Sequence, residues 1–179
     1  METIKNLDKT IKALTEKQNY IAHTYTESLL RVVGNEAAEV ANNNFGSAQY
    51  DGNNTVHCSC RLYKKKNLKA KVTAYGAPVL FIEFGTGVTY PDDHPMMATM
   101  GYTRGTYGKG LGSNSEWIYH GVAGTNGRVV GRDNNGNDIV VTKGNPANRC
   151  MYNAWKQVQI DFSHYCEGNK ALLGAMLDD

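Results

Sequence analysis

The sequence lacks the features that define several large classes of protein. No apolar run is long enough to span a bilayer, and Met1–Lys5 leads into a charged amphipathic pattern, not into the apolar segment of a secretory signal. Neither sign of charge prevails, because 19 basic and 17 acidic residues leave a net charge of +2. We therefore expect a protein made in the cytoplasm, with no membrane partner and with a bulk charge that does not indicate a nucleic-acid binder.

Cysteine is scarce as well. The 179 residues include four, at Cys58, Cys60, Cys150 and Cys166. In a reducing compartment we expect them to be free thiols that act as small apolar side chains. A metal site built on Cys58 and Cys60 is disfavoured, because one intervening residue is not a usual zinc spacing and His57 lies on the opposite face of the strand.

Recognisable catalytic arrangements are also missing. The glycine-rich segment Gly105–Ser113 contains a lysine, but its spacing differs from that of a phosphate-binding loop. Asp92, Asp93 and His94 are residue types that a metal-dependent hydrolase could use, yet no second cluster lies at a readable spacing, so a polar loop is favoured. The sequence predicts no catalytic residues, no metal, no cofactor and no enzymatic activity.

The first quarter of the chain has a helical period. Apolar residues step by three and four at Ile4, Leu7, Ile11 and Leu14, and after a polar residue at the next position, Gln18, the pattern continues at Ile21, Tyr25, Leu29, Val32 or Val33, Ala37 and Val40. This pattern predicts one long helix or two in tandem, ending at the stop signal Asn42–Gly46. A continuous helix over 4–41 would be about 55 Å long. Such a helix either lies across its own sheet or packs its apolar stripe on a neighbouring subunit.

The period then changes to two, which predicts an antiparallel pair of strands. Inward positions are Val56, Cys58, Cys60 and Leu62 on one strand and Leu68, Ala70, Val72 and Ala74 on the next. Six basic residues and no acid surround the turn: Arg61, Lys64, Lys65, Lys66, Lys69 and Lys71. This is either a solvated tip or a contact for DNA or an acidic partner, and the contact would be non-specific because no aromatic platform or groove-reading helix is evident.

One acid interrupts the densest apolar run, Phe81-Ile82-Glu83-Phe84-Gly85-Thr86-Gly87. A strand and a single helical turn are both compatible with its length. Glu83 is either the solvent-facing residue of a strand end or a buried acid, and a buried acid needs a partner. We expect it to pair with a backbone or basic group and so to fix the Gly85-Thr86-Gly87 turn.

Glycine dominates the next segment, since 85–144 holds 13 of the 19 glycines. Strand character is found at 117–120, and 128–130 with 139–141 flank a hairpin turn signal at 133–137. The stretch 100–115 is typical of a loop. A helix is predicted from Asn145-Pro146, with Asn145 or Asn148 as cap, to a stop at Gly168-Asn169. An amphipathic tail, 170–179, would follow and either dock or fray.

These elements predict one α+β domain, in which an antiparallel sheet is packed by a long N-terminal helix and a C-terminal helix. Its parts are the N-terminal helix region (1–46), the hairpin and the apolar run (54–87), a Gly-rich insertion containing a β-hairpin (88–144), and the C-terminal helix and tail (145–179).

Two blocks of the chain resemble a known family, the tail-completion or neck (head–tail joining) proteins of tailed bacteriophages, of the HK97 gp10-like type. The first block is Tyr75-Gly76-Ala77 with Phe81-Ile82-Glu83-Phe84-Gly85-Thr86-Gly87, and the second is Pro146-Ala147-Asn148-Arg149-Cys150-Met151-Tyr152-Asn153-Ala154. The order of elements agrees with the family as well. At two positions before the last helix, Arg149-Cys150 replaces the family's usual Pro-Phe.

The resemblance implies a structural virion protein with Glu83, Phe84, Gly85, Thr86 and Gly87 as signature residues. Copies would form a homomeric ring, of six by the family's tail symmetry, between the head connector and the tail tube, with the genome passing through the lumen. A tail terminator ring is a close alternative. An alternative of another class is a basic DNA-binding accessory protein.

Overall fold

The computed structural model describes residues 2–50, 52–64, 67–85, 94–96, 99–100, 116–124 and 127–178. Its elements in chain order are α1 (Glu2–Gly46), β1 (His57–Tyr63), β2 (Lys69–Tyr75), α2 (Val79–Phe84), β3 (Trp117–His120), β4 (Arg128–Arg132), β5 (Asp138–Thr142) and α3 (Cys150–Asp178). The predicted α+β class, with terminal helices and antiparallel sheets, is confirmed.

The N-terminal region is one continuous helix, not two. At 45 residues, α1 is about 68 Å long. The helix α3 packs along it in the opposite direction: Asn44 donates to the carbonyl of Cys150 at the start of α3 (3.0 Å), and Asn169, near the other end, donates to the carbonyl of Tyr25 (3.4 Å). The two helices therefore form a long antiparallel pair.

The prediction for the bounds of α3 was wrong at both ends. The helix begins at Cys150, and it continues through Gly168 and Asn169 to Asp178. The buried Asn169 side chain accepts a hydrogen bond from the Ser28 hydroxyl (3.2 Å) besides donating to Tyr25. Because groups on α1 bond the Asn169 amide, this side chain does not compete for the backbone hydrogen bonds of α3. Packing against α1 outweighs the weak helix propensity of glycine and asparagine.

The hairpin β1–β2 has the predicted alternation and lies on α1. His57 pairs with Tyr75 at the open end and Tyr63 with Lys69 beside the turn. The Asn42 amide joins helix to strand, since its Oδ1 accepts from the N–H of Cys58 (2.6 Å) and its Nδ2 donates to the carbonyl of the same residue (3.0 Å).

The Gly-rich insertion contains a second antiparallel sheet, in the order β3–β5–β4. The predicted hairpin around 133–137 is therefore present, and the strand-like patch at 117–120 joins it as a third strand. A bulge lies between Val129 and Gly131. Most of the predicted loop at 100–115 lies outside the described residues, as does all of Gly105–Ser113.

The core lies where the two helices meet the hairpin and α2. It consists of small and medium side chains from four elements: Ala38, Ala41, Phe45, Cys58, Ile82, Cys150 and Ala154. Small residues on the helices allow close approach, and Gly34 shows this most clearly. A β-carbon at Gly34 would collide with Cys60 Sγ and would stand 3.1 Å from Ala70 Cβ.

We expect Gly34→Ala to destabilise the protein by about 1–3 kcal/mol, because the added methyl overpacks the contact between α1 and the hairpin. This sign is opposite to the effect of helix propensity, which favours alanine by up to about 1 kcal/mol. Gly168→Ala is the matched control, since a β-carbon there has open space, and it should stabilise. Urea denaturation measures both; stabilisation by both substitutions would contradict the close contact.

Candidate functional site

The apolar run that carries Glu83 is the short helix α2 and not a strand. Ile82, Glu83 and Phe84 are all buried, and Glu83 is only 5 % exposed. At the end of α2, Gly85 has φ 76°, a left-handed conformation that favours glycine. A β-carbon at Gly85 would also stand 2.6 Å from the backbone nitrogen of Ala147. Gly85 thus allows the two blocks of the family resemblance to lie against each other.

The carboxylate of Glu83 caps the N-terminus of α3. Its Oε2 accepts from the N–H of Met151 (2.8 Å), and its Oε1 accepts from the N–H of Tyr152 (3.0 Å). These N–H groups belong to the first turn, where no intrahelical acceptor exists. The negative charge also complements the positive end of the helix dipole. Glu83, which is more than sixty positions earlier in the chain, therefore caps α3 in place of a residue next to the helix.

Neither asparagine predicted as a cap has that role. Asn145 is buried before α3 and donates to the carbonyl of Phe81 (3.0 Å). The Asn148 amide exchanges two hydrogen bonds with the backbone of Gln49, which follows α1. Backbone bonds complete the junction: the N–H of Asn148 donates to the carbonyl of Ile82 (3.0 Å) and that of Arg149 to the carbonyl of Glu83 (3.1 Å).

His94 is the third partner of the Glu83 carboxylate, and it is equally buried. Its Nδ1 accepts from the N–H of Met96 (3.1 Å), so the proton of the neutral ring lies on Nε2, which donates to Glu83 Oε1 (3.0 Å). The ring lies between Phe84 and Tyr152, at 4.3 Å and 5.6 Å between ring centroids. Sequence reasoning gave Glu83 a partner but did not identify His94, which it placed in a polar loop.

The Glu83–His94 pair is engaged in structural hydrogen bonds. Both ring nitrogens of His94 are used, so the ring has no free lone pair with which to act as a general base. Asp92 and Asp93, the other residues of the hydrolase alternative, lie outside the described residues. A pocket of about 380 Å³ adjoins the pair and has a mostly apolar lining, which includes Met96, Met100 and Trp155.

Two thiols lie close to the Glu83 carboxylate. Burial, and secondarily the Glu83 charge, raises the pKa of the Cys150 thiol to about 12. The same causes raise the pKa of Cys58. Both groups are therefore neutral thiols near pH 7 and fill space in the core. All four cysteines are free.

The basic hairpin is only partly described, because Lys65 and Lys66 lie outside the described residues. Lys64 forms an ion pair with Glu27 on α1 (2.6 Å) and lowers the pKa of that carboxyl. Arg61 and Lys69 each place their charge 5.5 Å from the centre of the Tyr63 ring. Alternation along the strand places Tyr63 on the same face as Arg61, so one aromatic ring accompanies these two cations.

The N-terminal part of α1 carries an uncovered apolar stripe, which we define as Leu7, Ile11 and Leu14. These side chains are 59 %, 53 % and 62 % exposed. They precede Ile21, which is buried, and Tyr25, whose hydroxyl donates to the carbonyl of Cys166 of α3 (3.4 Å). The steps between these five residues are four, three, seven and four, so all five lie on one face of the helix. The face that α3 covers from Ile21 onward thus continues without a cover toward the N-terminus.

Comparison with known proteins adds no relative: no protein-family model, curated protein or solved structure matches the chain. Within the described ranges, the helices lack the combination of length and apolar content that crossing a bilayer requires. The same residues contain no group of three or more His, Cys, Asp or Glu side chains that could hold a metal ion.

We expect Glu83→Ala to lower the free energy of unfolding by about 3 kcal/mol or more, because it leaves buried N–H donors without an acceptor. Glu83→Gln keeps one carbonyl acceptor and should cost less. Glu39→Gln, at an exposed position of α1, is the control and should change stability by no more than about 0.5 kcal/mol. Chemical denaturation gives all three values, and equal losses in the two glutamine variants would contradict the capping role.

The raised pKa of Cys150 predicts a loss of stability in alkali. The folded protein holds the thiol proton up to about pH 12, whereas the unfolded chain releases it near 9.0. The contribution is therefore full below the unfolded value and declines as pH rises, by up to about 1.4 kcal/mol per pH unit. Denaturation between these limits should show a shallower decline for Cys150→Ala than for Cys166→Ala. Identical slopes would contradict the prediction.

Proposed function

We propose that the protein is a non-enzymatic structural component of a phage virion. Its copies form a ring of six at the neck, between the head connector and the tail tube, and the genome passes through the lumen. The family resemblance supplies this class. Support comes from the position of its two blocks, which contact each other through Glu83, Arg149 and Met151.

The observation that carries the proposal is the apolar stripe of α1. A helix of about 68 Å is longer than the core requires, and its first turns present Leu7, Ile11 and Leu14 to solvent in line with the face that α3 covers. Burying a leucine is worth about 1.5–3 kcal/mol. A helix from a neighbouring copy, packed there as α3 packs further along, would bury the stripe and join the copies.

The stripe can be tested without disturbing the core. Leu7→Gln with Leu14→Gln removes apolar contact at exposed positions and keeps residues with high helix propensity. We expect a folded protein with the parental melting temperature whose self-association is weakened about a hundredfold or more. Lys9→Gln with Lys12→Gln changes neighbouring exposed positions and should assemble like the parent. Sedimentation velocity measures both, and unchanged assembly of the leucine variant would contradict the interface.

Electron microscopy tests the function itself. The purified protein should form rings and, when mixed with tail tubes or with head connectors, should bind one of them. Binding to the connector favours the neck position, whereas binding only to the tube end favours the tail terminator. A protein that stays monomeric at high concentration and binds neither would contradict the proposal.

A further inference from the structure

The outward face of the β1–β2 hairpin, which we call the ribbon face, has a composition distinct from the rest of the molecule. Its cross-strand pairs are His57–Tyr75, Ser59–Thr73, Arg61–Lys71 and Tyr63–Lys69. All eight side chains except the half-buried Thr73 are exposed, and none is acidic. The opposite face of the hairpin packs on α1. The ribbon face is thus a strip of cations, hydroxyls and aromatic rings.

One pair on the ribbon face opposes folding. Arg61 and Lys71 lie directly across from each other, and like charges in this arrangement are destabilising. Among the residues that the structure describes, neither forms an ion pair with a carboxylate; the ion pair of the hairpin uses Lys64 instead. A ligand that brings negative charge to the ribbon face would relieve this repulsion.

The width and length of the hairpin restrict which polyanion the ribbon face can bind. In the described residues this sheet has two strands only, so it is narrow, and seven residues give a length of about 23 Å. The major groove of B-DNA is about 12 Å wide and admits a two-stranded ribbon. Arginine and lysine bind guanine O6 and N7 there, serine and threonine hydroxyls bind either kind of base edge, and flanking groups contact phosphates.

We propose that the ribbon face is a site for duplex DNA that enters the major groove. Arg61, Lys71 and Ser59 lie at the centre and contact base edges, while Lys69 and the Tyr63 hydroxyl flank them and contact the phosphate backbone. This proposal differs from the expectation from sequence, in which the basic turn would make only a non-specific contact with DNA. It does not rest on ring formation, because every group that carries it belongs to one copy of the chain.

The test uses the full chain carrying Leu7→Gln and Leu14→Gln, so that binding is measured apart from assembly. Fluorescence anisotropy compares a DNA duplex with an RNA duplex of the same sequence, whose deep and narrow major groove side chains cannot read. We expect binding to the DNA duplex to be at least about tenfold tighter. Arg61→Gln with Lys71→Gln should weaken it about tenfold to a hundredfold and reduce the preference for the DNA duplex over the RNA duplex, because both side chains contact base edges.

Two controls separate binding from folding and from total charge. The melting temperature of the Arg61→Gln, Lys71→Gln variant should equal or exceed that of its parent, because the repulsive pair is gone. Adding Lys9→Gln and Lys12→Gln instead removes the same charge from α1 and should change affinity by no more than about twofold. Equal affinity for the two duplexes, equal losses in the two charge variants, or tighter binding to a single strand or to polyglutamate would each overturn the proposal.

Discussion

A single buried carboxylate joins α2, His94 and the start of α3, three parts of the chain that are not adjacent in sequence. Glu83 lies on a helix of six residues, and its two oxygens accept from two backbone N–H groups of α3 and from His94. A buried charge is tolerated only when its hydrogen bonds are satisfied, so these partners must be in place together. The start of α3, the residues around His94 and the turn at Gly85 therefore depend on one another. Ile82, which precedes Glu83 on α2, belongs to the core cluster, so the junction lies directly beside the core.

The two surfaces for which we propose a function both lie outside this junction. The antiparallel packing of α3 on α1 buries the helix face from Ile21 onward and leaves Leu7, Ile11 and Leu14 exposed. The hairpin packs one face on α1 and presents its cations and rings on the other. The two proposed contacts use different interactions: assembly depends on the apolar area of the stripe, and DNA contact depends on the uncompensated charge of the ribbon face. Neither surface includes residues that line the pocket beside His94.

Much of the fold could be predicted from the sequence because periodicity reports local structure. The steps of three and four in α1 and the alternation in β1 and β2 led to the right elements, and the turn signal at 133–137 led to the right hairpin. The errors arose where a distant group replaces a local one. Asn145 was expected to cap α3, but Glu83 does so, and Asn169 was expected to end α3, but α1 binds its amide. No local pattern reveals such partners, which is also why His94 was not identified.

The measurement that tests this account most directly is amide hydrogen exchange at the start of α3. N–H groups in the first turn of a helix have no intrahelical acceptor and ordinarily exchange fast. If Glu83 caps the helix, the amides of Met151 and Tyr152 are protected in the parent, and at least one of them loses that protection in Glu83→Gln, which keeps a single carbonyl acceptor, while amides in the middle of α3 change less. Fast exchange of both amides in the parent, or equal protection in the two proteins, would contradict the central role of this carboxylate.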